Sequence, residues 1–357
     1  MSEFKSDKDY LEGISIPQQD DILSVLNDYD IYQCGSIQLI DSSRDAEDIR
    51  LNYLIDNRWV LRFCHVSGMT EQRLNDLYRL IERYHAADIL CPQFIRDVHG
   101  QFLNRWHQMV CYLSEYIDQS IAGDETIPDE EALVFEVGRS VAGFAERYRN
   151  VDLSETMGMY SLFDLSPFDI PIGIDEKEDN FNQLITVLQE TGENQLADKL
   201  TAKHSDIRNK LKAVYRSLPR CVFQGDENFS NVLIDENKHF IGFIDFNLSG
   251  TEVIVNQLAN LAGFDYDERR NEPEGAQNRL NYALNYFRRH ITDMLRFYHA
   301  SAQELKALCW YAWIVMVAQW PTLCYFRTCL KGELKEEILE MLRLIADIKE
   351  EQLLPNA

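Results

Sequence analysis

The sequence predicts an α+β chain in which a small antiparallel sheet with one main helix precedes a larger helical region. Three observations carry this. Strand-like runs at 32–40, 49–55 and 59–66 are separated by the turn-forming DSSRDAED and Asp56-Asn57. A helical period over 69–85, with Leu74, Leu77, Leu80, Ile81 and Tyr84 on one face, is followed by two more strand-like runs at 94–95 and 109–117. From Asp118 onward the apolar spacing turns helical.

A leading helix is expected within 16–29, where residues 22, 23, 25 and 26 are apolar. Asp129 is placed to cap a helix carrying Val134, Val137, Val141, Phe144 and Tyr148, with Glu130 and Glu131 favourable in its first turn. A second helix is expected over 195–218, stopping before Pro219, and between the two lies loop or short irregular helix around Pro167, Pro171 and Gly173. Short β-like runs at 221–223, 232–234 and 240–246 bracket polar loops. The remainder, from 256 to 354, reads as helical, with a core helix around 310–320 and an amphipathic one at 334–348.

Composition narrows the function classes. At 357 residues the chain exceeds what one hydrophobic core serves, so two cores are expected. The net charge of −24 opposes nucleic acid and anionic membrane surfaces as partners. Residues 124–198 hold 18 acidic and 4 basic side chains, so this segment supplies −14 of that charge. Eight cysteines without a C-x-x-C pair, mostly in apolar runs, suggest reduced thiols and a cytoplasmic protein. The N-terminus lacks a signal-peptide core. The apolar run 307–318 is too short to span a bilayer, which takes about 20 residues, and is expected to be a core helix.

The chemistry concentrates in residues 221–248, CVFQGDENFSNVLIDENKHFIGFIDFNL. Asp226 follows a short strand, Asn231 comes five residues later, and Asp245 ends an apolar strand fourteen residues beyond Asn231. Phosphoryl transfer needs this set: a carboxylate to orient and deprotonate a hydroxyl, and hard oxygen ligands for magnesium. The Asp-to-Asn offset is that of the kinase catalytic loop. No G-x-S-x-G, Walker A or G-x-G-x-x-G string occurs.

The run GDENFSNVLID followed by IGFIDF resembles the catalytic core of the aminoglycoside phosphotransferase and choline kinase family. The resemblance implies a protein-kinase-like two-lobed fold: an N-terminal lobe at 1–113 with a five-stranded sheet and one helix, a hinge at 114–118, and a helical lobe at 119–357. That lobe would hold the catalytic loop (224–231), the metal motif (244–247) and the acceptor site. It also implies ATP and Mg²⁺ as cofactors, with Asp226 the catalytic base and Asn231 and Asp245 the metal ligands. Arg62, in WVLRF, would reach the phosphates, with Glu71 or Asp76 as its acidic partner. In the hinge-like YLSEYID, the Ser114 carbonyl and Tyr116 amide would hold the adenine, and residues 41–47 would cover the phosphates. Two departures stand out: Gln224 replaces the usual His before Gly-Asp, and Asn256-Gln257 replaces a motif that carries Asp. Gln224 could still tie its loop to the backbone near Asp245.

The expected function is therefore an ATP- and magnesium-dependent phosphotransferase acting on a hydroxyl of a small-molecule acceptor, with a cationic acceptor favoured as much as any other. The alternative is a catalytically silent nucleotide-binding or interaction module, motivated by Gln224 and Gln257. Oligomeric state is open. Trp310, Tyr311, Trp313, Trp320 and Tyr325 are read as core rather than as a cation pocket, and Asp265, Asp267, Glu268, Glu272 and Glu274 as a solvated loop.

Overall fold

The computed structural model describes residues 15–43, 48–65, 69–266 and 275–354. The three leading runs form an antiparallel meander of β1 (Ile37–Asp41), β2 (Ile49–Ile55) and β3 (Trp59–His65). Alternate residues of a strand share a face. Leu51, Tyr53 and Ile55 of β2 and Leu61 and Phe63 of β3 are accordingly buried in one core with Ile22, Val25 and Leu26 of α1 (Gln19–Asn27). Asp56 and Asn57 both take positive φ, near +50°, and the Arg58 N–H closes this tight turn on the Ile55 carbonyl at 2.9 Å.

Thr70 caps α2 (Glu71–His85), its hydroxyl accepting the Arg73 N–H at 3.1 Å. The strands β4 (Phe94–Ile95) and β6 (Met109–Glu115) complete a five-strand path ordered β1-β2-β3-β6-β4. A short additional arm, β5 (Asn104–Trp106), also pairs with β6. Its three residues, two of them polar, are too few to show an alternation.

The run at 232–234 forms β9 (Val232–Ile234), flanked in a second sheet by β10 (Phe240–Phe243) and β7 (Ser120–Ile121). Gly242 is required in β10 because a Cβ there would sit 1.9 Å from the Leu90 carbonyl oxygen. A third, two-stranded sheet pairs β8 (Arg220–Phe223) with β11 (Gly250–Val253).

The helices are α3 (Glu130–Arg147), α4 (Glu176–Glu190), α5 (Asn194–Lys212), α6 (Ile254–Ala262), α7 (Ala276–Met294), α8 (Ala302–Ala318), α9 (Trp320–Cys329) and α10 (Lys335–Asp347). Asp129 caps α3 as expected, accepting the Ala132 N–H at 2.9 Å. Two expectations are corrected. After the loop around Pro167–Gly173 stands a full helix, α4, capped by Asp175. Its apolar stripe of Phe181, Leu184, Val187 and Leu188 is preceded by buried Lys177 and Asn180, which interrupt the apolar signal. The helix expected to reach 218 ends at Lys212 and gives way to a 3₁₀ turn at Tyr215–Ser217.

In α8, Tyr311 and Trp313 are core residues, whereas Trp320, at the start of α9, is exposed. No single helix among the described residues is long and apolar enough to cross a membrane; α8 and α9 reach that length only as a pair bent by 42°. The chain divides into two units, one of the described residues up to Thr126 together with Asn228–Ile244, the other of Ile127–Glu227 and the residues from Asp245 onward.

Candidate active site

The pairing of β8 with β11 brings two loops to one end of a short sheet, because Phe223 lies opposite Gly250. Gln224 follows Phe223 directly and is fully buried. Its side-chain nitrogen donates to the Asp245 carbonyl oxygen at 2.5 Å, and its side-chain oxygen accepts the Asp226 N–H at 2.6 Å. Its own carbonyl accepts the Ser249 hydroxyl at 3.0 Å. One amide side chain thus spans the segments that carry both aspartates. Gly225 follows with φ +85°, and a Cβ there would meet the Leu248 oxygen at 2.6 Å, so only glycine fits.

Asp245 has φ +54°, unusual for a residue with a side chain, and one of its carboxylate oxygens accepts the Asn247 N–H at 3.1 Å. Asn231 belongs to the other unit. There its N–H donates to the Asn228 oxygen at 2.8 Å, and its carbonyl accepts the N–H of Ile244 at 2.9 Å, the residue directly before Asp245. Carboxylate and carboxamide oxygens are the hard donors that magnesium takes, so each of these side chains suits that ion by its chemistry.

The structure adds residues that the sequence reading did not single out. Glu227, next to Asp226, accepts from Gln257 at 2.8 Å and from the Gly225 N–H at 3.4 Å. Burial, and then the charge of Asp226, push its carboxyl up to about 7. Glu252 of β11 is 3% exposed; one oxygen accepts the Val253 N–H at 2.7 Å and the other is buried without a hydrogen-bond partner. Burial raises this group to about 7 as well, although Asn256, the Val253 N–H and the charges of Arg220 and Lys177 pull the other way. Tyr160 feels the charges of Glu227, Glu176, Asp226 and Glu252 together; burial first, then those charges, hold its hydroxyl well above the usual range. Buried Lys177 lies 4.8 Å over the Tyr160 ring and pairs with Glu176 at 2.7 Å. Asn256 donates to the Tyr160 carbonyl at 2.7 Å. The signals for this acidic cluster were present: an acid beside Asp226, and a lone acid in the apolar run TEVIV.

In the other unit, Arg62 sits on β3 opposite Tyr112 of β6, and buried Ser114 lies two residues further along β6, opposite Val60. The Tyr116 N–H donates to the Arg58 carbonyl at 2.9 Å, so the amide expected at the adenine edge is already engaged within the protein. Of the two acids on α2, Glu71 is drawn away. Its carboxylate accepts the N–H groups of Phe102 and Leu103, at 3.1 and 2.8 Å, and the Asn75 amide. Asp76 accepts from Arg79 at 2.6 Å and adds its field to buried Arg73. Of the expected phosphate-covering segment, 44–47 lie outside the described residues, as do Asp267, Glu268, Glu272 and Glu274.

Residues 37–310 match the family model of the phosphotransferase enzyme family, APH. Among curated proteins, none matches the sequence. Solved structures that resemble the fold include an amicoumacin kinase bound to AMP-PNP, Ca²⁺ and Ami, at 12% identity and a TM-score of 0.52, covering 92% of this chain and 93% of that one. A spectinomycin phosphotransferase in complex with ADP and spectinomycin matches at 13% identity and a TM-score of 0.48, over 95% of this chain and 97% of that one. A gentamicin complex of an aminoglycoside phosphotransferase matches at 12% identity and 0.44, over 96% and 100%.

Proposed function

This chain belongs to the phosphotransferase enzyme family, and from that premise we propose that it transfers the terminal phosphoryl group of ATP, with magnesium, to a hydroxyl of a small-molecule acceptor. The observation that carries the reading is the Gln224 bridge, which ties the Asp226 backbone to that of Asp245 through one buried side chain. In this reading Asp226 orients the acceptor hydroxyl and takes its proton. Magnesium at Asn231 and Asp245 would supply neutralisation of charge on the phosphate oxygens. Arg62 reaches the phosphates, and Asp76 is the acid that accompanies it, since Glu71 is committed to the 102–103 backbone. Ser114 lines the adenine side.

The acceptor carries a positive group. Support comes from Glu227 and Glu252, two carboxyls around Tyr160 whose proton affinity burial raises to about 7, one Glu252 oxygen being buried without a hydrogen-bond partner. A protonated amine would replace a proton there and supply the missing donor. The silent-module reading loses its motive, because both substituted glutamines are engaged: Gln224 in the bridge and Gln257 on Glu227. An aspartate at 257 would put a second carboxylate against Glu227.

A screen of hydroxyl acceptors grouped by charge, with ATP consumption as readout, tests both parts. Amino alcohols and amino sugars are expected to be turned over faster than neutral sugars, and Asp226→Asn to abolish the difference. A best acceptor that is anionic overturns the cation reading. Magnesium-dependent stabilisation by ATP with no acceptor consumed would establish the silent module instead.

A further inference from the structure

A cavity of about 830 Å³ opens between α3 and α7, and none of its lining residues belongs to the candidate active site. In a chain of charge −24, four arginines line it: Arg139 of α3, Arg288 and Arg289 of α7, and Arg296 just beyond α7, with Phe135 at the wall. The carboxylates they contact are fewer. Asp293 alone takes both Arg139, at 2.5 Å, and Arg296, at 3.4 Å, while Glu131 takes Arg289 at 2.8 Å. Glu136 adds its field to Arg139 from the same helix. Arg288 has no carboxylate contact among the described residues; it donates to the Gln352 carbonyl, and its Nε is buried without a hydrogen-bond partner.

The C-terminal end of a helix favours cations, which accounts for Arg296 just after α7 but not for Arg288 and Arg289, which precede its last turn. That preference does not explain why Arg139, in the middle of α3, converges on the same cavity, nor why an Arg288 donor is buried without an acceptor. Guanidinium groups present several N–H donors in a planar fork that matches phosphate oxygens. The volume lies within the range of small-molecule sites and exceeds what a bare phosphate occupies.

We propose that this cavity binds a phosphate-bearing small molecule, its phosphate held by Arg139, Arg288 and Arg289 and its organic part against Phe135. The site is independent of the proposed kinase activity.

The test uses the intact chain and isothermal titration with inorganic phosphate, pyrophosphate and a sugar phosphate, at ionic strength matched with chloride. Saturable binding of at least one phosphate ligand is expected, about a hundredfold weaker in Arg139→Gln/Arg288→Gln, the worth of two lost charge-assisted hydrogen bonds at roughly tenfold each. Filling the nucleotide site beforehand with a non-hydrolysable ATP analogue and magnesium should leave the affinity unchanged. Should the double variant lose its fold by circular dichroism, Arg289→Gln serves instead, since that side chain is 53% exposed; a several-fold loss is expected there. No binding beyond the chloride control, equal affinity in the arginine variants, or loss of binding when the nucleotide site is filled overturns the proposal. Binding of the sugar phosphate alone, with inorganic phosphate silent, supports it and assigns the Phe135 side a share of the affinity.

Discussion

Two regions of the Ile127–Glu227 and Asp245-onward unit carry opposite charge and hold it differently. Around Tyr160, Glu227 accepts from Gln257 and Gly225 while one Glu252 oxygen lacks a partner, and burial raises both carboxyls to about 7. Between α3 and α7, Arg139, Arg289 and Arg296 are exposed and share few carboxylates, while Arg288 has a buried Nε. A guanidinium stays charged at any ordinary pH, so the arginine cavity is positive unconditionally. In the acidic cluster the charge of Glu227 and Glu252 varies with pH and with a bound cation. Net charge therefore describes how the molecule repels polyanions and does not describe what either region receives.

The comparison is tested most severely at Asp226, which shares the acidic pocket yet is assigned a different task. Asp226→Asn is expected to lower kcat by roughly 10²- to 10⁴-fold with ATP affinity nearly unchanged, the worth of a positioned base. Single-turnover measurements with the best acceptor decide it. An unchanged rate would mean that Asp226 is one more pocket acid.

The conditional charge itself has a pH signature. For Glu252 the folded pKa of about 7 lies above its ordinary 4.5, so the folded state binds the proton more tightly. Its contribution to stability is then complete below pH 4.5 and is lost as pH rises through 7, on the order of 3 kcal/mol in all. Burial lowers His204 to about 3, so this residue acts in the opposite sense below pH 6.5. The readout is therefore the difference between wild type and Glu252→Gln in urea unfolding at pH 5, 6.5 and 8. The variant should lose less stability across that range; equal losses would show that Glu252 is not charged at a cost.

Legibility in the sequence follows how each feature is encoded. The meander, α2 and the Asp226–Asn231–Asp245 spacing were readable because each is a local pattern of apolar period or fixed offset. The helix α4 was hidden by buried Lys177 and Asn180, polar residues whose partners lie elsewhere in the fold: Lys177 over Tyr160, Asn180 on the Ala318 carbonyl. The Tyr116 amide looked available because nothing in YLSEYID reveals that Arg58 lies across from it. The acidic pocket collects Tyr160, Glu176, Glu227 and Glu252 from four separate stretches, and no one-dimensional spacing reports such a meeting. Gln224 was the exception. A neutral amide in place of an imidazole still suggested a backbone tie near Asp245, and the bridge takes that form.

That bridge predicts a smaller effect than either acid. Gln224→Leu would leave the Asp226 N–H and the Asp245 carbonyl without their partner in a buried place, at about 2 kcal/mol of stability. It should also lower kcat more than it raises the KM for ATP, because it disturbs geometry and not nucleotide contact. Gln224→His restores a donor or an acceptor at either nitrogen and should recover part of the rate. Its recovery should vary with pH between 6 and 8 as the imidazole titrates, whereas wild type lacks that dependence at this position. A leucine variant with wild-type kcat would reduce the bridge to packing.

The smallest effect belongs to the arginine cavity. Arg296 is 72% exposed and meets Asp293 at 3.4 Å, while Arg139 holds the same carboxylate at 2.5 Å. An exposed ion pair that duplicates a closer one contributes little, so Arg296→Ala should change unfolding free energy by less than about 0.5 kcal/mol. Arg139→Ala should cost more, because Asp293 is buried and its remaining partner is the distant one. If salt raised to 1 M erases the difference between the two variants, the pairing is governed by screened surface charge. If the difference persists, burial of Asp293 sets it, and the arginine cavity is held by the same desolvation that governs the acidic pocket.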